Sequence, residues 1–176
     1  MKEITNFAGQ NWLITPAALA VGEAPPQNIS GQKFLLVLSG VGIADFKGNS
    51  TSQWLHETLH VFPDLQGPLK YAINKYSIPL PPTEALNFQV EQWSPFAAMS
   101  SIFNQNVSNN SGFAVDAWRP SPFGSGTDAV TNQPVGNLFS GVNVEVAVRD
   151  SDAIMHRLSY NFTLLGRIVS TRIIIT

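Results

Sequence analysis

The amino-acid sequence predicts an all-β protein, an antiparallel β-sandwich or jelly-roll-like barrel with at most one or two short helices. Three observations carry this expectation: segments in which apolar and polar residues alternate, twelve prolines that fall mainly between those segments, and Gly or Asn clusters that separate them. Seven or more short strands at such spacing suit a sandwich or a barrel. A chain of 176 residues has the length of one domain and buries roughly 70% of its unfolded surface without a covalent staple. Residues 1–176 are therefore expected to form a single β-sandwich domain.

The first candidate strands are residues 33–39 and 41–46, rich in Leu, Val and Ile. Residues 50–62 carry two competing patterns. Ser50 and Gln53 resemble a capping box, and Leu55, Leu59 and Phe62 have helical spacing ahead of Pro63. Against this, Trp54, His56, Thr58 and His60 alternate with Leu55, Glu57, Leu59 and Val61 as in a strand. The local signals favour a short helix. Further strands are predicted at residues 69–78, 86–93, 96–103 and 112–118, and residues 121–138 read as one long loop of the size that binding loops have.

Beyond that loop, Val142, Val144, Val146 and Val148 alternate with Asn143, Glu145 and Ala147, the period-two signature of a half-buried strand. Leu158, Tyr160, Phe162 and Leu164 repeat it, and Asp150-Ser151-Asp152 between the two supplies turn-forming side chains. Residues 142–168 thus read as a long hairpin, with a bulge at Gly166. The apolar tail Ile173-Ile174-Ile175 is expected to pair as an edge strand, within the fold or across the boundary of a homo-oligomer.

Charged residues make up only 12% of the chain, about half of the roughly 25% that is typical. Ten basic and twelve acidic residues give a net charge of −2, which offers no electrostatic footprint for nucleic acid or an anionic membrane. No run approaches the ~18 apolar residues that span a bilayer. Met1-Lys2-Glu3 leads into Ile4-Thr5-Asn6-Phe7 without a leader pattern. A soluble protein is expected, with its compartment left open, since the absence of cysteine removes any redox signal together with thiolate chemistry.

Two short stretches follow one pattern, Phe-x-Val-acidic-x-Trp-x-Pro. Phe88 to Pro95 is the first copy and Phe113 to Pro120 the second. Strict strand alternation puts Phe88, Val90 and Gln92 on one side and Gln89, Glu91 and Trp93 on the other. Glu91 and Trp93, like Asp116 and Trp118, then share an outer face. A carboxylate beside an indole suits a sugar, because the carboxylate accepts hydroxyl hydrogen bonds and the flat ring covers the C–H face of a pyranose. Tryptophans that simply close the rim of a core are the alternative.

His56-Glu57-Thr58-Leu59-His60 matches HExxH and resembles the zinc-binding signature of the zincin metallopeptidases. That resemblance implies His56 and His60 as zinc ligands and Glu57 as the general base. The extended form of the signature wants Gly and His where Pro63 and Gln66 stand, and Glu84 is the well-spaced candidate for a third ligand. The chemistry requires a helix, which holds residues i and i+4 roughly 6 Å apart on one face. Asp150-Ser151-Asp152 could offer oxygens to calcium but lacks the spacing of a calcium loop.

The leading expectation is a non-catalytic module without a cofactor, binding a small molecule or a glycan through Glu91, Trp93, Asp116 and Trp118. A zinc-dependent hydrolase using His56, Glu57, His60 and Glu84 is the enzymatic alternative, and a self-assembling capsid-, fibre- or toxin-like component is the structural one.

Overall fold

The computed structural model describes residues 2–4, 10–23, 32–50, 52–80, 85–104, 111–120, 124–129 and 131–172. In chain order the elements are β1 (Lys2–Ile4), β2 (Asn11–Pro16), α1 (Ala17–Ala20), β3 (Phe34–Lys47), β4 (Trp54–Val61), α2 (Gln66–Tyr76), β5 (Ala85–Asn104), β6 (Gly112–Pro120), β7 (Gly124–Asp128), β8 (Pro134–Leu138), β9 (Val142–Arg149) and β10 (Ala153–Arg172). The protein is mostly β, as its alternation and prolines predict. No helix among the described residues is long and apolar enough to cross a membrane.

One sheet has the order β1-β4-β9-β6, with β1 joined in parallel and the other pairs antiparallel. The second runs β2-β3-β10-β5-β8-β7, and β7 also pairs with β10, closing a small barrel-like ring of four strands. Alternation supplies the core. Phe34, Leu36 and Leu38 of β3, Val142 to Val148 of β9 at every second residue, and Leu158, Tyr160, Phe162 and Leu164 of β10 all join one buried cluster. Leu59 and Val61 of β4 enter the same cluster, so both sheets share it.

Four expectations are corrected. Residues 142–168 are not a hairpin. β9 lies between β4 and β6 in one sheet and β10 between β3 and β5 in the other, so the turn at Asp150 to Asp152 carries the chain across the core. Each strand buries one face, and that signal is the same whether two strands lie side by side or face each other. Asp150, at φ 92° and 2% exposed, is held at this corner: Oδ2 accepts from Ser111 Oγ at 3.0 Å and Oδ1 from the Asp152 N–H at 3.3 Å.

Residues 69–78 form no strand but most of α2. Leu69, Tyr71 and Ile73 mimic strand alternation, yet the helical spacing prevails because it buries Leu69 and Ala72 and packs Ile73 and Tyr76 against the core. Ser77, left-handed at φ 51°, ends the helix. The segment expected as a helix at 50–62 is instead β4, stabilised by eight cross-strand pairings with β9 that set Leu59 opposite Val144 and Val61 opposite Val142. Residues 121–138, read as one loop, contain β7 and β8. Neither β1, β2 nor α1 was anticipated, and the strands predicted on either side of Gly40 and of Ser94-Pro95 run through as single long strands, β3 and β5.

The bulge expected at Gly166 is present. Leu165 pairs with Gln92 but Gly166 with Val90, so Glu91 is an extra residue on β5. The Gln89 carbonyl lies where a Cβ of Gly166 would stand.

Tyr160 faces inward at 3% exposure, stacked on Phe162 with centroids 4.8 Å apart, and burial pushes its phenol up to about 12. The unfolded chain ionises near pH 10 while the fold keeps its proton, so this contribution is complete below that pH and lost as pH rises towards 12. Urea denaturation at about pH 9 and about pH 11 is expected to show roughly 1–2 kcal/mol less stability at the higher pH, and Tyr160→Phe to remove most of the difference.

Candidate functional site

In β4 successive side chains point to opposite sides and rise about 3.3 Å each, which holds His56 and His60 about 13 Å apart. The helix that HExxH chemistry needs is absent from this segment. His56 is exposed, whereas His60 is 8% exposed with its ring stacked on Phe62 at 5.7 Å. Glu57 and Glu145, with His56 and Thr58, line a shallow depression of about 270 Å³. Among the described residues no three His, Asp or Glu side chains gather as a metal-binding group, and Glu84 lies outside those residues.

The bulge at Glu91 also decides where the first Phe-x-Val-acidic-x-Trp copy points. One extra residue resets the alternation, so Trp93 comes opposite Leu164 and packs against the core on the same side as Phe88 and Val90. Gln92 takes the outer position that strict alternation assigns to Trp93. Glu91 is engaged by Lys33 Nζ at 2.5 Å and Arg167 Nε at 3.2 Å. The hydrogen bond from Lys33 holds its carboxyl below the ordinary glutamate value, with the charges of Lys33 and Arg167 acting in the same direction. The expected outward pair of Glu91 and Trp93 does not form.

In the second copy Asp116 pairs with Glu145 but Arg119 with Asn143, so β6 also carries an extra residue. The side chains of Asp116 and Trp118 lie outside the described residues. Both copies of the repeat therefore coincide with a slip in strand register. Residues 173–176 are likewise outside the described set, and β10, which leads to them, is interior to its sheet rather than an edge.

An acid beside an exposed indole does occur, in a place no local pattern indicates. Trp12 projects from the edge strand β2 and Tyr71 from α2, with ring centroids 5.2 Å apart and planes inclined at 57°. Both remain open to solvent, at 39% and 42% exposure. Asp64, in the connection from β4 to α2, is tied by two bonds to the side-chain amide of Gln10, the residue just before β2. Gln10 Nε2 donates to the Asp64 carbonyl at 2.6 Å, and Gln10 Oε1 accepts the Asp64 N–H at 2.8 Å.

Asp64 Oδ1 accepts the Gln66 N–H at 2.9 Å, which fixes the carboxylate at the start of α2. On the far side, Lys75 Nζ lies 5.2 Å from the Tyr71 centroid and 5.5 Å from that of Tyr76, a cation–π contact that steadies the Tyr71 ring. The result is two flat apolar surfaces and one carboxylate, held by residues from β2, the β4–α2 connection and α2. No family model, curated protein or solved structure matches this chain.

Proposed function

We propose that this protein is a non-catalytic binding module for a neutral, hydroxyl-rich ligand, a glycan, held against Trp12 and Tyr71. The observation that supports this reading is the exposed Trp12–Tyr71 pair with the Asp64 carboxylate beside it. Large aromatic surface left in water next to an anchored acceptor matches the two faces of a sugar: C–H groups lie on the ring and hydroxyls donate to the carboxylate. The low overall charge agrees with a ligand recognised by shape and hydroxyl groups.

Calorimetric titration with soluble neutral oligosaccharides tests the proposal. Binding is expected for the native protein, and Trp12→Ala is expected to weaken it by at least about tenfold, since aromatic anchors dominate such contacts. Trp12 is partly exposed on an edge strand, so a thermal melt of the variant should stay close to that of the native chain. Absence of binding at millimolar sugar, or equal binding by Trp12→Ala, would count decisively against this function.

A further inference from the structure

Trp12 and Tyr71 are held by separate parts of the fold. Trp12 stands on β2, which pairs with β3 without a break in register and sets Trp12 opposite Leu38. Tyr71 stands on α2, which buries Leu69 and Ala72 in the core. The bonds between Gln10, just before β2, and Asp64, just before α2, tie the strand to the helix. The 57° between the two ring planes is therefore set by the fold and not by the ligand. The centroids, 5.2 Å apart, are separated by close to the length of one pyranose residue in a chain.

This inclination sorts glycans by the shape of the chain. A sugar covers an aromatic ring with its flat C–H face, so a chain that engages both rings must tilt that face from one residue to the next. In a cellulose chain successive faces stay nearly parallel, as a ribbon, and in the crystalline polymer they form a plane. Such a ligand lies on Trp12 or on Tyr71 and not on both. An amylose chain coils, with each residue tilted against the one before it. We infer that the site selects a glycan whose chain coils, of the amylose kind, over ribbons and crystalline polymer, with Trp12 and Tyr71 taking successive sugar residues. This inference rests on the glycan reading and adds to it the chain geometry that the site discriminates.

The native protein is titrated calorimetrically with maltotetraose and with cellotetraose at up to about 10 mM, a range that reads weak Kd values. It is also mixed with microcrystalline cellulose and sedimented. Maltotetraose is expected to bind at least about tenfold more tightly than cellotetraose, with the protein left in solution above the cellulose. Tyr71→Ala removes the second plane from an exposed helix position. It should weaken maltotetraose by about tenfold and change cellotetraose by less than about threefold, so the discrimination disappears. Tyr71→Phe keeps the plane and should bind both sugars as the native protein does.

Cellotetraose bound as tightly as maltotetraose, retention on the cellulose, or an equal loss for both sugars in Tyr71→Ala would overturn the selection by chain shape. The glycan reading stands in each of those cases if Trp12→Ala still weakens the sugar that binds. If the native protein binds neither tetrasaccharide nor any other neutral oligosaccharide, the glycan reading falls and the selection falls with it.

Discussion

Phe162→Ala is expected to cost about 3–5 kcal/mol of folding stability. Phe162 lies at the middle of β10, the strand flanked by β3 and β5, opposite Leu38 on one side and Pro95 on the other. It is fully buried, stacked with Tyr160 and edge-on to Phe139 at 6.3 Å. Because β10 is hydrogen-bonded on both sides, the backbone has little freedom to collapse into the space a lost ring leaves. The full cavity cost then adds to the lost transfer energy. Domains are typically stable by only about 5–15 kcal/mol, so a large part of the total is removed. Urea denaturation should show a lower midpoint with an unchanged slope. A loss below about 1 kcal/mol would mean that this position is not packed.

Gly166→Ala is expected to be nearly as damaging, at about 2–4 kcal/mol, for a different reason. The methyl would enter the Gln89 carbonyl and approach Phe88 Cε1 at 2.9 Å, and backbone at such a distance does not yield cheaply. The strand pair can relieve the overlap only by flattening the bulge at Glu91. Flattening shifts the register by one residue beyond that point and turns inner side chains outward. Trp93 is the large side chain affected, so the variant should show red-shifted tryptophan emission alongside its lower urea midpoint. Native-like emission with unchanged stability would place the bulge elsewhere.

In the sequence, the strands were legible wherever one face is apolar over several alternations, as in Val142 to Val148 and Leu158 to Leu164. Their partners were not, because alternation reports that a face is buried and not by what. The alternation therefore fits a hairpin as well as the observed arrangement, in which β9 and β10 lie in opposite sheets although a turn of three residues joins them. Two segments carried both periods at once. In α2 the alternation of Leu69, Tyr71 and Ile73 overlies the helical set Leu69, Ala72, Ile73 and Tyr76. In β4 the helical spacing of Leu55, Leu59 and Phe62 yields to the valines of β9.

The chemistry of the site was legible while its location was not. Sequence alone pairs an acid with an indole only where the two are close along the chain, as at Glu91 and Trp93. One extra residue in β5 turned that indole to the core, and Lys33 with Arg167 took up the carboxylate. Trp12, Asp64 and Tyr71 meet only through folding, across more than fifty residues of chain from β2 to α2, and no local pattern records such a meeting. The weak hint was Asp64-Leu65-Gln66, an acid capping the first N–H of a helix that alternation had read as a strand.

The four tryptophans provide the most direct measurement, because each contributes one indole N–H signal to a nitrogen-15 correlation spectrum. The signals are assigned by single Trp→Phe variants, and the native protein is titrated with soluble neutral tetrasaccharides such as cellotetraose, maltotetraose, mannotetraose and chitotetraose. The Trp12 signal is expected to shift saturably with sugar concentration while the Trp93 signal, on the core side of β5, stays in place. Movement of Trp93 with Trp12 stationary, or no movement of any indole, would contradict a binding site at Trp12, Asp64 and Tyr71.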